Sequence, residues 1–356
     1  MMVGQAQPKV LQYAAVAGIC AITVYLLVVG EQLFQPLVIA VVFWFLINVL
    51  ASLFQSIKFG RFRLFRPVCI VLAILVLVAV LSIIVQFISG SLNDLGSVAR
   101  VYEANLQIYW SRFPLSDSLP ADGLWQNISD WLDISTLVTA VALTFTGFAA
   151  DGILIFIYTL FLLWEQGNFK SKLTALINDV EQEKRVQKII ERVRSDIQRY
   201  ISIKILTSTA TGLLSYFVLS LLGVDFPEIW GTLIFLLNFI PTVGSIVATI
   251  FPATIALAQS TTDGFSLFLM VLVCIGALQI TIGNIIEPRL MGTSLNLSPV
   301  VILFNLALWG TIWGVAGMFL CVPFLIITTI VLSHFPKTRP VAILLSSNGK
   351  IDIPDE

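Results

Sequence analysis

The sequence predicts an all-α polytopic membrane protein with about seven to eight transmembrane helices and two broken or reentrant helical segments in its C-terminal half. Three observations predict it. The 356 residues are 58% hydrophobic and only 12% charged, with a mean hydropathy of +0.95, whereas soluble domains carry about twice that charge. Several apolar runs are long enough to cross a hydrocarbon core about 30 Å thick. Within one of them, from Trp230 to Pro252, Pro241 and Gly244 interrupt the span, because proline removes a backbone donor and glycine loosens the helical ladder.

Taken in order, Val10 to Val29 and Phe34 to Ile57 form two spans separated by Gly30, Glu31 and Gln32. The first lacks a small-residue cleavage pattern and is soon followed by the second, so it reads as a spanning helix rather than a cleaved leader. Lys58, Arg61, Arg63 and Arg66 then form the densest short basic loop, which the positive-inside rule places in the cytoplasm together with the N-terminus. A third span covers Pro67 to about Ser89. Beyond it, apolar residues recur every three or four positions from Leu92 to Tyr109 and again from Trp125 to Trp131, with Pro114, Pro120 and Gly123 between. This predicts two short amphipathic helices on the outer surface.

Ile134 to Trp164 holds the fourth span and contains Asp151, either an intramembrane acid or a carboxylate at the interface where the span begins; the interface is favoured because Thr139, Thr144 and Thr146 make the outer part polar. Asn168 to Ser202 is a long charged helix whose basic residues keep it cytoplasmic. Its apolar stripe, which includes Leu173, Leu176, Val180, Val186, Ile189, Val193 and Ile197, suits either a lever or docking helix or a cover for the bundle. The fifth span, Ile205 to Leu222, carries Thr207, Thr211 and Ser215 four apart with Ser208 and Gly212 beside them, a stripe read as helix-packing surface. A span from Phe265 to Ile282 follows the broken segment. Pro299 to Ser333 is long for one helix and suits a tilted helix or a hairpin, and Lys337 and Arg339 place the C-terminus in the cytoplasm. The resulting organisation is an N-terminal scaffold (1–90), an extracytoplasmic amphipathic segment (91–135), a fourth transmembrane helix (136–167), a cytoplasmic helix (168–204), a transport core (205–335) and a tail (336–356).

Candidate functional residues concentrate at two breaks. Lipid offers no water to freed carbonyls, so a broken helix must face protein or a wet cavity, which is where transporters hold cargo. The first break has Asn238, Pro241, Thr242, Gly244 and Pro252. A second interrupted stretch, Gly283 to Val301, has Asn284, Glu287, Pro288, Arg289, Gly292 and Pro299, and the Trp-Gly-Thr at 309 echoes that at 230, which predicts an internal repeat. Exposed helix ends and the two amides suit a small polar cargo. Glu287 with Arg289 suggests a local ion pair that pins the turn, a cargo contact or a proton-linked switch, with Asp151 the other candidate for proton or ion coupling.

The composition also sets exclusions. A net charge of −1 gives no basic face for nucleic acid, and a single histidine, His334, with cysteines at 20, 69, 274 and 321 read as isolated buried thiols, offers no metal or disulfide framework. No cofactor is expected. Neither a catalytic triad nor a nucleotide-binding loop is found, so an enzyme or an ATP-driven pump is not expected.

The blocks Asn238-Phe239-Ile240-Pro241-Thr242-Val243-Gly244-Ser245 and Gly283-Asn284-Ile285-Ile286-Glu287-Pro288-Arg289-Leu290-Met291-Gly292, with Leu297-Ser298-Pro299, Gly314, Gly317 and Val322-Pro323, resemble the autoinducer-2 exporter family of bacterial membrane proteins. The likeness covers nearly the whole chain and is strongest from Tyr200 onward. It implies a multi-pass protein of the bacterial cytoplasmic (inner) membrane that exports the quorum-sensing signal autoinducer-2. It further implies a homo-oligomer, with a pentamer as one candidate. Family members are also associated with sodium/proton exchange, so a cation/proton antiporter is the alternative. The resemblance places Asn238, Pro241, Gly244, Glu287, Pro288, Arg289 and Gly292 in the family's common core.

Overall fold

The computed structural model describes residues 7–56, 65–111, 151–177, 179–292 and 296–349. These form α1 (Gln7–Val29), α2 (Glu31–Ser56), α3 (Arg66–Ser111), α4 (151–165), α5 (Phe169–Leu176), α6 (Val180–Leu222), α7 (Pro227–Leu237), α8 (Val243–Gln259), α9 (Gly264–Ile280), a π-helical turn (Thr281–Ile286), α10 (Glu287–Met291), α11 (Pro299–Ser333) and α12 (Arg339–Leu345). The architecture is all-α, as expected. Among the described residues five helices, Glu31–Ser56, Arg66–Phe87, Val180–Leu222, Gly264–Met291 and Pro299–Ser333, are long and apolar enough to cross a membrane, and three shorter apolar helices accompany them.

Two helices run further than their polarity suggests. No proline interrupts α3 between Pro67 and Ser111, and its 46 residues make a rod about 69 Å long at 1.5 Å per residue. The stretch from Leu92 to Tyr109 therefore continues the third span and is not a separate surface helix. Its apolar face is used: Tyr102 and Leu106 are buried against Leu219, Val224, Ile229 and Trp230. Tyr102 donates to Asp225 Oδ2 at 2.6 Å, Asn105 Nδ2 to the Ala258 carbonyl at 2.7 Å and Tyr109 to the Ser260 carbonyl at 2.7 Å. Burial, and then the Asp225 carboxylate, push the Tyr102 hydroxyl above its ordinary value, which keeps it a donor. The second expected surface helix, Trp125 to Trp131, and residues 134–150 of the fourth span lie outside the described residues.

The charged helix and the fifth span likewise join into α6, 43 residues capped by Asp179, whose side chain accepts from the Glu181 amide. Ile197, Tyr200 and Ile201 bury against Phe45, Ile240, Leu306 and Val322, while Leu176 and Val180 stay exposed. Only the membrane-proximal part of the stripe covers the bundle. The other half of the fold is two helical fold-backs. α7, a turn at 238–242 and α8 form the first: Gln259 at the end of α8 returns to the beginning of α7, accepting from the Asp225 amide at 3.0 Å and donating to the Gly223 carbonyl at 2.8 Å. With 11 residues, α7 reaches about 16 Å, half of the bilayer core, so the unit is reentrant.

The second fold-back is α11, whose helical geometry fails at Trp313 and Gly314 (φ 56°, ψ −137°). Asn305 donates to the Cys321 carbonyl, 16 residues on; in a straight helix these would be about 24 Å apart. Gly317 sits where a Cβ would be 1.9 Å from the Trp309 carbonyl oxygen, so the arms close tightly only without a side chain there. The hairpin alternative for Pro299 to Ser333 is the one adopted. The continuous helix Gly264–Met291 connects the base of the first hairpin to that of the second, so the two enter from opposite ends of the bundle. They meet inside it, where Phe239 stacks on Phe319 with ring centroids 5.6 Å apart. The second base is tied by the tail, as Ser298 donates its amide to the Leu345 carbonyl at 2.9 Å.

Three expectations need correction here. Gly283–Val301 is interrupted as expected, since one helix ends at Met291 and the next begins at Pro299, but the break falls after Pro288 and not at it, and the fold-back itself is at Trp313–Gly314. Pro288 does not end the helix: in a regular α-helix its ring would crowd the Asn284 carbonyl and it lacks the amide that would bond there, and the preceding π turn, with the Glu287 amide donating to the Ile282 carbonyl, accommodates both. Among the cysteines, Cys69 and Cys321 are buried but Cys274 is exposed on the apolar surface of α9.

Candidate functional site

One face of α6 organises the site. Lys204, Thr207, Thr211 and Ser215 follow one another at three- and four-residue steps, with Ser208 beside Thr207 and four after Lys204, an arrangement that a helix stacks on one side, and all five are buried. The upper part of this face is packing surface: a Cβ on Gly212 would lie 2.8 Å from the Gly231 carbonyl oxygen and one on Gly231 2.9 Å from Tyr216 Cβ. The Gly231 of the first Trp-Gly-Thr is thus needed for close approach of α6 and α7, the role expected of small residues between membrane helices.

Lower on the same face the stripe receives polar groups from both breaks. Lys204 Nζ donates to Glu287 Oε1 at 2.7 Å, with the two side chains 7% and 13% exposed. Thr207 donates to the other carboxylate oxygen, Oε2, at 3.2 Å. At the adjacent position Ser208 Oγ accepts from Asn238 Nδ2 at 3.0 Å, and this amide is itself buried. Asn238 and Glu287, 49 residues apart in sequence, are therefore brought to neighbouring positions of one helix. Glu287 pairs with Lys204, not with Arg289, which is exposed. An ion pair removed from water holds only when its partners and hydrogen bonds are complete, and here Thr207 supplies the additional donor.

The remaining predicted residues fall into two groups. Pro241, Thr242 and Gly244 make the tip of the first hairpin. Thr242 adopts φ 58°, ψ −59°, a conformation rare for a β-branched residue, and a Cβ on Gly244 would lie 1.8 Å from the Leu237 carbonyl oxygen, so the reversal demands glycine. Pro252 is buried within α8. Asn284, Pro288 and Arg289 are exposed, Pro299 begins α11, and Gly292 (φ 61°) ends the helix where Arg199 Nη2 donates to the Leu290 carbonyl at 3.4 Å. Asp151 is exposed on α4 and does not join the buried pair. Two further buried groups on these helices, Ser215 Oγ and Gln279 Nε2, have no hydrogen-bond partner among the described residues.

Sequence reasoning passed over Lys204. It lies at the join between the charged and the apolar halves of α6, where a lysine reads as one more cytoplasmic charge. The available signal was its phase: it continues the Thr207–Thr211–Ser215 stripe toward the charged end.

Two opposed reentrant hairpins, meeting beside a buried polar seam in a multi-pass helical bundle, define a membrane transport protein. Residues 17–337 match the family described as AI-2E family transporter, and the chain belongs to that family. Relatives include a putative transport protein of Haemophilus influenzae, 32% identical over 77% of this chain and 81% of the relative. The AI-2 transport protein TqsA of Escherichia coli is 28% identical over 90% of this chain and 91% of its own length. A putative transport protein of Escherichia coli, YhhT, is 28% identical over 79% and 80%.

Proposed function

We propose that this protein is a secondary transporter that exports a small polar signalling molecule, autoinducer-2, across the bacterial inner membrane by alternating access. The observation that carries the reading is the convergence of both breaks on one face of α6: Asn238 from the first hairpin and Glu287 from the π-distorted helix meet Ser208, Thr207 and Lys204 there. Such a face offers donors and an acceptor to a hydroxylated cargo. In this reading the hairpins and Gly264–Met291 move as a unit against α1 to α3, in an elevator-like or rocking motion, with the Lys204–Glu287 pair closing one state. The printed name of the TqsA relative supports the choice of cargo. The basic residues around α2, α3 and α6 support cytoplasmic termini, and the exposed apolar surface of the single chain is compatible with both lipid and a homo-oligomeric interface, a pentamer included.

The alternative of sodium/proton or other monovalent cation/proton exchange draws on one feature, the titratable carboxylate of Glu287 within the buried pair. Proteoliposomes of the purified protein distinguish the two readings. Autoinducer-2 movement down an imposed gradient, reduced in Glu287→Gln, is the expected result. Cation/proton exchange without movement of the signal would replace the exporter reading with the antiporter one.

A further inference from the structure

A cleft of about 350 Å³ opens away from the polar seam, where the end of α2, the start of α3 and the charged half of α6 come together. Arg66, Arg194 and Arg199 line it, with Gln198, Asn48 and Ser202 as neutral hydrogen-bonding groups, and no carboxylate is among its described lining residues. Arg66, Arg194 and Arg199 are solvent-exposed, so water screens their mutual repulsion, but three like charges around one cleft still favour an anion there. The Asp196 carboxylate pairs with Arg192 and lies within electrostatic reach of Arg199 as well, but it does not line the cleft. Arg194 is oriented by the Trp44 ring, 5.9 Å from its guanidinium carbon. Asn48 donates its amide nitrogen to the Trp44 carbonyl at 2.8 Å, which fixes the floor.

We infer that this cleft binds a phosphate group. The planar fork of arginine pairs with two oxygens at once of a phosphate or a carboxylate, and around three such forks the three or four oxygens of a phosphate meet more donors than the two of a carboxylate or a single chloride. The volume is that of a small-ligand site and is ample for a phosphate ester. Its position, at the ends of two apolar spans that terminate at Ser56 and begin again at Arg66, lies at headgroup height, where basic pockets between helices take acidic lipids. The phosphodiester of an anionic phospholipid is therefore one source and a soluble phosphate the other. The inference does not depend on what the protein transports.

The test is thermal unfolding of the purified full-length protein in neutral detergent, titrated separately with phosphatidylglycerol and with inorganic phosphate. A saturable rise in Tm is expected for the wild type. The R66Q/R194Q variant should bind at least about tenfold more weakly, since each lost charge-assisted bond is worth about a tenfold change or more. Lys337→Gln, outside the cleft, should respond as the wild type. A response to phosphatidylglycerol alone identifies a lipid site, to inorganic phosphate alone a soluble ligand, and to both a general phosphate site. Should R66Q/R194Q fail to fold, R66K/R194K keeps the charge and loses the fork, and several-fold weaker binding is expected. No response to either ligand, or undiminished binding in these variants, overturns the inference.

Discussion

Removing the charge of Glu287 should destabilise the protein, and removing its partner as well should restore it. In Glu287→Gln the Lys204 ammonium, 7% exposed and otherwise held 2.7 Å from the carboxylate, is left as an uncompensated buried charge. Breaking a buried pair in this way costs about 3–5 kcal/mol. The glutamine still offers Thr207 and Lys204 an oxygen, so the lower figure applies, about 3 kcal/mol, or on the order of a hundredfold in the folded-to-unfolded ratio. Lys204→Gln should cost a similar amount by stranding the carboxylate. The double variant K204Q/E287Q removes both desolvation penalties and leaves two amides able to bond each other, so it should cost less than either single change. Equilibrium unfolding of the purified variants in mixed micelles measures the cycle. Costs that simply add in the double variant would show that Lys204 and Glu287 do not interact, and would remove the pair from both the stability and the transport arguments.

Other substitutions probe separate parts of the construction. Gly244→Ala places a methyl 1.8 Å from the Leu237 carbonyl oxygen; the hairpin tip must shift, with a stability loss of about 3 kcal/mol or less if it relaxes fully and a fall in flux in proteoliposomes. Asn238→Leu removes the donor to Ser208 from a buried site and should cost about 1–3 kcal/mol in unfolding measurements. Retained flux in this variant would take Asn238 off the cargo pathway. Tyr102→Phe breaks the 2.6 Å bond to Asp225 that fastens α3 to the first hairpin, and protease nicking near 223–227 should accelerate relative to wild type.

Some of the architecture was legible along the chain because its causes are local. Hydropathy over about 20 residues reports spanning length, so the apolar helices were evident. The strain at Pro241 and Gly244 announced a break that the structure turns into a reentrant tip. The α6 stripe, expected as packing surface, packs closely only at Gly212, while Thr207 and Ser208 receive Glu287 and Asn238. Whether Pro299 to Ser333 is a tilted helix or a hairpin was not legible, for an equally physical reason. Pro288 was expected to break the helix, but a π turn absorbs its missing donor, whereas the reversal at Trp313–Gly314 rests on a glycine conformation and on close contact between arms.

What the sequence determined by itself is the class of molecule: a helical membrane protein with an interrupted C-terminal half, because length, hydropathy and proline chemistry act over one or two turns. Only the tertiary structure decided the partners. Lys204 and Glu287 are 83 residues apart, Asn238 and Ser208 are 30 apart, and Arg66 shares a cleft with Arg194 and Arg199. A charge or amide in a sequence carries no sign of which distant group will neutralise it. That choice belongs to the packing of α6 against the hairpins, which sets which polar groups lose water together.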